Sequence, residues 1–194
     1  AEYGPKALAL ARSLEDEQEQ VRISCLLSGS LSMLGRATES RDLLEPFARW
    51  VRACAPVDLL ALWLGFWATA MDSLGRLRES VSVHEEYHAI ASAPALHTTH
   101  VPTNLNNLAV RYNTMGRTAQ AVGASERAVR VLREDSQAKG MPLLALLIHA
   151  RHLSEYAHYD EALALFDEAL PKVQGSGASS WVFGARNWLG ALWL

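Results

Sequence analysis

Cysteine is scarce in this chain: only Cys25 and Cys54 occur among 194 residues, and neither stands at metal-ligand spacing. That argues against a disulfide-stapled secreted scaffold and a cysteine zinc fold, and for reduced, packed thiols in a cytosolic setting. A basic excess is missing as well, since 18 Lys and Arg face 21 Asp and Glu for a formal net charge of -3. A surface that tracks a phosphate backbone concentrates positive charge, so direct nucleic-acid binding is not expected. No apolar run reaches the roughly 18 residues that a membrane-crossing helix needs, so no membrane role is expected. The chain opens without Met and without a signal-peptide pattern, and is expected to start inside a longer protein. Gly175-Ser176-Gly177 has no strand before it and no Lys-Ser/Thr after it, so it reads as a linker rather than a phosphate loop. No strand-turn-helix nucleophile elbow is visible to place a serine triad.

What is present is ordinary globular composition, 49% hydrophobic and 20% charged, which is enough for one packed domain. There is also an internal repeat. Leu34-Gly35-Arg36-Ala37-Thr38-Glu39-Ser40, Leu74-Gly75-Arg76-Leu77-Arg78-Glu79-Ser80 and Met115-Gly116-Arg117-Thr118-Ala119-Gln120-Ala121 share one template, with glycines 40 and 41 residues apart. A fixed period in this range marks stacked supersecondary units that bury their apolar faces only against their neighbours.

With each glycine at position 15 of a helix-turn-helix unit, large and small residues fall into register. In the third unit Leu105, Leu108, Ala109 and Tyr112 precede Gly116 at helical spacing, and Ala121 and Ala128 follow it. The fourth unit has Leu146, Ala150 and Leu153, then Ala157 where glycine is expected, then Ala162, Phe166 and Ala169. Small residues at positions 8, 20 and 27 let antiparallel helices cross closely while large ones fill the remaining volume. The glycine supplies a left-handed cap to the first helix. The first two units match in spacing more than in identity: Leu27, Ser28, Leu31, Ser40 and Phe47 in one, Leu64, Trp67, Ala68, Met71, Ser80 and Tyr87 in the other.

This pattern resembles the tetratricopeptide repeat. The resemblance implies an all-α right-handed superhelix of antiparallel helix pairs, with about ten helices near 1–15, 18–34, 36–54, 57–74, 76–93, 101–115, 117–138, 141–157, 159–173 and 179–194. A single array is expected, cut at both ends: a half repeat at 1–15, repeats near 18–54, 57–93, 101–138 and 141–173, and a half repeat at 179–194. Pro102 and Pro142 sit where a first-turn proline is tolerated, whereas Pro46 should bend or divide its helix. A period near 40 is similar to the sensor arrays of large bacterial signal-transduction ATPases and transcriptional activators, to Gram-positive peptide-pheromone receptors and to kinesin light chains.

The resemblance further implies that positions 2, 5, 6, 9, 12 and 13 of the first helices line a concave groove for a protein, a peptide or a small effector. The residues so placed include Arg22, Cys25, Leu26 and Gly29; Leu62, Gly65, Phe66, Thr69 and Asp72; Thr103, Asn106, Asn107, Val110 and Asn113; and Leu147, Ile148, Arg151 and Glu155. Of these, Arg22, Phe66, Asp72, Asn106, Asn107, Asn113 and Arg151 are the candidate ligand-groove residues. An asparagine amide offers both a donor and acceptor, so Asn106 and Asn107 suit an extended peptide backbone; solvated groove residues are the bland alternative.

Catalysis is not expected, nor is a cofactor or resident metal. His84-Glu85-Glu86-Tyr87-His88 matches the zinc-protease string, but its third-ligand positions hold Pro94 or nothing until Glu126, and His97 and His100 lie in a junction. Its register puts His84 and Tyr87 on the hairpin's packing seam, so a packing helix outweighs a zinc hydrolase. His149, His152 and His158 read as structural histidines. Trp67 and Trp193 fall at packing positions, while Trp63, Trp181 and Trp188 are candidates for partner contact. A bare terminal helix would favour self-association, and a scaffold that binds through convex or terminal surfaces is the competing interaction role.

Overall fold

The computed structural model of the protein describes residues 3–13, 15–91, 101–134 and 141–175. The expected terminal helix 179–194, with Trp181, Trp188 and Trp193, lies outside the described residues, as do Pro94, His97, His100 and the linker from Ser176 onward. Among the described residues all regular structure is helical. The order is α1 (Tyr3–Ser13), α2 (Glu17–Met33), α3 (Ala37–Leu44), a 3-10 turn (Glu45–Phe47), α4 (Ala48–Cys54), α5 (Val57–Ser73), α6 (Leu77–Ala91), α7 (Val101–Thr114), α8 (Thr118–Glu134), α9 (Met141–Glu155) and α10 (Tyr159–Gly175).

The chain divides into two compact units, Ala1–His97 and Thr98–Leu194. In the first, α2 packs on α1, α3 and α5, and α5 packs on α6; in the second, α7 packs on α8, α8 on α9 and α9 on α10.

One turn recurs through both units. Gly35, Gly75 and Gly116 have φ of 73°, 72° and 70°, and Ala157 takes the same left-handed conformation at 62°. Behind each, two reverse hydrogen bonds close the helix end. Gly75 N–H donates to the Asp72 carbonyl and Arg76 N–H to that of Met71, both at 2.9 Å. The pairs at Gly35, Gly116 and Ala157 follow the same spacing, which is the motif that satisfies the last carbonyls of a helix. Arg36 and Arg76 then fork onto Glu39 and Glu79 three residues on. That fork lowers the Glu39 carboxyl below the usual carboxylate range.

The small residues do what close crossing requires. Ser28, Ala68, Ala109 and Ala150 at position 8, and Ser40, Ser80, Ala121 and Ala162 at position 20, are all fully buried, as are Ala128 and Ala169 at position 27. Serine in the first unit brings its own partners, since Ser40 Oγ lies 2.7 Å from Ser28 Oγ and 2.9 Å from Ser32 Oγ. In the second unit Leu105, Leu132, Leu146, Leu153 and Phe166 fill the space around the alanines.

Pro46 divides its helix, as its missing N–H dictates. The chain tightens to a 3-10 turn at Glu45–Phe47, where Ala48 N–H reaches the Glu45 carbonyl. The Leu44 carbonyl accepts instead from the indole N–H of Trp63 at 3.2 Å. Trp63 is fully buried, so its reading as a partner-contact candidate is corrected: the ring fills the core and satisfies the carbonyl beside the break. It stacks on Trp67 at 5.2 Å, and the Arg52 guanidinium lies 4.9 Å from its ring centre. In α10 the helix continues through Pro171 to Gly175, past the boundary that the sequence pattern gave.

Candidate binding site

The first helices of successive hairpins bring the candidate residues onto α2 and α5 in one unit and α7 and α9 in the other. Their exposure divides by register. Position 5 is closed in three repeats, where Cys25 and Leu147 are fully buried and Asn106 is 3% exposed, while Gly65 in the second repeat is half-buried with open space beside it. Positions 6 and 9 remain open or partly open, as at Leu26, Phe66, Asn107, Ile148, Thr69, Val110 and Arg151. One residue is about 100° of helix turn, so position 6 stays on the inner face while position 5 rotates into the helix packing.

This corrects the expectation for Asn106. Neither its amide nitrogen nor its amide oxygen has a hydrogen-bond partner, so it is a buried, unsatisfied group rather than an open groove residue. Such a group costs roughly 1–3 kcal/mol. Asn107, one residue on, is half-buried and remains available on the surface. Cys25 is likewise closed, and burial pushes its thiol pKa up to about 12, so it is an inert packing group.

Asn113 and Arg151, 38 residues apart, are joined through one carboxylate. Asn113 Nδ2 donates to Glu155 Oε2 at 2.5 Å, and Arg151 Nε donates to Glu155 Oε1 at 2.7 Å. Tyr156 Oη donates to Asn113 Oδ1 at 2.5 Å. The sequence reading missed Tyr156, which sits one residue before the left-handed Ala157. These side chains make a mixed polar strip across α7 and α9.

On α2 and α5 the surface has another character. Arg22 Nη2 lies 3.3 Å from Asp58 Oδ2 and its Nε 3.7 Å from Glu19, tying the two helices at their N-terminal ends. Phe66 lies over the backbone of α2 at Gly29, where an added Cβ would fall 2.6 Å from the ring's Cε1. Leu26, 65% exposed, adds an open apolar side chain to the same face. Asp72 turns away from solvent instead, with Oδ2 3.9 Å from Nε2 of His84 on α6. That pairing makes Asp72 a hairpin-seam residue, for which nothing in its own register gave a signal.

The zinc-like string falls apart on the same geometry. His84 is 1% exposed on the seam, Glu85 is exposed, and Glu86 accepts the two-pronged Arg52 guanidinium at 3.2 and 3.0 Å. Among the described residues no group of three His, Cys, Asp or Glu side chains could hold a metal ion. No described helix is long and apolar enough to cross a membrane.

No protein-family model matches the chain, and no curated protein matches it. Solved structures do. BtubC (BKLC) from P. vanneervenii superposes with a TM-score of 0.84 at 17% identity, over 98% of this chain and 80% of that one. The apo form of RapI gives 0.85 at 11% identity, over 98% and 69%. A kinesin-light-chain-type protein of Podosopora anserina with nearly identical TPR-like repeats gives 0.71 at 17% identity, over 91% and 94%. At these identities the likeness concerns the fold. The chain thus has the all-α, tetratricopeptide-like helical solenoid fold shared by these repeat proteins.

Proposed function

We propose that the chain is a non-catalytic binding module of a larger regulatory protein, a bacterial transcriptional regulator or signal-transduction ATPase acting in the cytoplasm. In this reading the inner faces of the first helices take an extended protein or peptide segment, and binding passes a signal to a neighbouring domain. The observation that carries it is the strip on α7 and α9. There Asn113, Arg151 and Glu155, from two successive repeats, form one hydrogen-bonded cluster, and the half-buried Asn107 lies nearly two turns earlier on α7. Amide and guanidinium groups so placed can engage backbone N–H and C=O groups whatever the side chains of the bound segment. The repeat period near 40 supports the regulatory class, because arrays of that length serve as sensors in such proteins.

The competing role is a scaffold or self-association module binding through convex or terminal surfaces. It is favoured by Met33 and Leu34, which are 91% and 71% exposed at the turn end of α2. A random peptide library displayed against the immobilised chain separates the two. The groove reading expects recovered peptides to lose about tenfold or more in affinity on Asn107→Ala and on Arg151→Ala, with helicity unchanged. Peptides indifferent to both substitutions would place the contact elsewhere and overturn it.

A further inference from the structure

Away from the α7 and α9 strip, the second unit carries a cleft of about 310 Å³ along α8. Glu126, Arg130, Arg133 and Glu134 of α8 rim it, Val129 and Leu165 give it apolar walls, and His149 of α9 closes one side. The histidine is the informative group. Ser125 Oγ donates its one proton to the Val122 carbonyl at 3.0 Å, and lies 2.9 Å from His149 Nδ1. A hydroxyl has a single hydrogen, so with that proton on the Val122 carbonyl this contact runs the other way, with Nδ1–H as the donor. Burial holds the imidazole below its ordinary pKa and therefore neutral. Its Nε2 is then a bare lone pair. His149 is 8% exposed, Nδ1 faces Ser125, and among the described residues none is hydrogen-bonded to Nε2, so that edge is what His149 offers the cleft.

The rim supplies complementary charges. Arg130 and Arg133, three residues apart on one helix face, each use one Nη2 in an ion pair, with Glu126 at 2.9 Å and with Glu168 at 2.7 Å. Both guanidinium groups are more than half exposed and keep further N–H donors for a ligand. Exposed pairs of this kind contribute little, so they rearrange onto a ligand carboxylate with little loss. The carboxylates of Glu126 and Glu134 balance them and suit a cation. A cleft at the small end of ligand-pocket volumes, with both charges, an acceptor and apolar walls, fits a compact zwitterion.

We infer that this cleft binds a free aliphatic α-amino acid. Its carboxylate lies on Arg130 and Arg133, its ammonium donates to His149 Nε2 and Glu126, and its side chain rests on Val129 and Leu165. The site is separate from the inner-face strip and stands whether or not that strip binds a peptide.

The test titrates L-leucine into the whole chain, following the His149 side-chain nitrogens by NMR and the heat by calorimetry. Saturable binding is expected, with the Nε2 resonance moving as it accepts a hydrogen bond. Leucinamide, which lacks the carboxylate, and N-acetyl-leucine, which lacks the ammonium, should each bind at least about tenfold more weakly. The paired exposed substitutions Arg130→Gln and Arg133→Gln, which remove no core packing, should weaken leucine to the same degree. No movement of His149 at millimolar leucine would overturn the inference. So would equal movement with all three compounds, or binding unchanged in the double variant.

Discussion

Replacing Ala157 by glycine should stabilise the protein, against the usual rule that glycine weakens a helical segment. Ala157 holds φ at 62° at the end of α9, where the other three equivalent turns have glycine. Crowding of Cβ against the neighbouring carbonyl in that conformation costs an L-residue about 1–2 kcal/mol. Glycine removes this strain but frees the unfolded chain, which takes back roughly 0.5–1 kcal/mol. The balance is a gain of about 0.5–1 kcal/mol, or ~2 °C in Tm for a chain of this size. The mirror experiment is Gly75→Ala. An added Cβ at Gly75 meets nothing within 4 Å, so its expected loss of about 1 kcal/mol is conformational and not steric. Urea unfolding followed by far-UV circular dichroism reads both changes. If Ala157→Gly lowers stability, or Gly75→Ala raises it, these residues lie inside helices and the repeating turn is refuted.

Other outcomes follow from particular contacts. His152 is 1% exposed, and burial lowers its pKa to about 4 against the ordinary 6.5, with Arg151 and His149 adding to the shift and Glu155 opposing it. The unfolded state therefore binds the proton first. Stability is full above pH 6.5 and falls by about 3 kcal/mol as the pH drops towards 4; urea melts across that window should show the loss, and His152→Leu should flatten it. Trp63→Phe strands the buried Leu44 carbonyl and leaves a smaller ring, costing about 2–3 kcal/mol in the same melts. Gly29→Ala gains about 1 kcal/mol of helix propensity but pushes against Phe66 at 2.6 Å, for a net loss near 1 kcal/mol. In a Phe66→Leu background the same change should become stabilising; a double-mutant cycle without that sign change would remove the close approach.

The turns, the small-residue seam and the break at Pro46 were legible because each is local. A glycine that needs positive φ, an alanine where helices cross and a proline without its N–H act within a few residues of sequence. The inner face was read less well. Its register placed Asn106 and Asn107 together on the groove, yet 100° of rotation separates them, and packing buries the first while leaving the second at the surface. Asp72 was likewise assigned to the groove from its position alone, whereas His84, 12 residues on, draws it into the seam. Trp63 was ambiguous until the carbonyl released at the 3-10 turn gave its indole a partner. The His149 tautomer depends on Ser125, 24 residues earlier on another helix, and on which way one hydroxyl proton points.

Backbone chemical shifts from solution NMR would test the stacked-hairpin account most directly. They should report left-handed dihedrals at Gly35, Gly75, Gly116 and Ala157, helical shifts on both sides of each, and an interruption at Glu45–Phe47. Unbroken helix through any of those four positions, or strand shifts within α2 to α10, would contradict it.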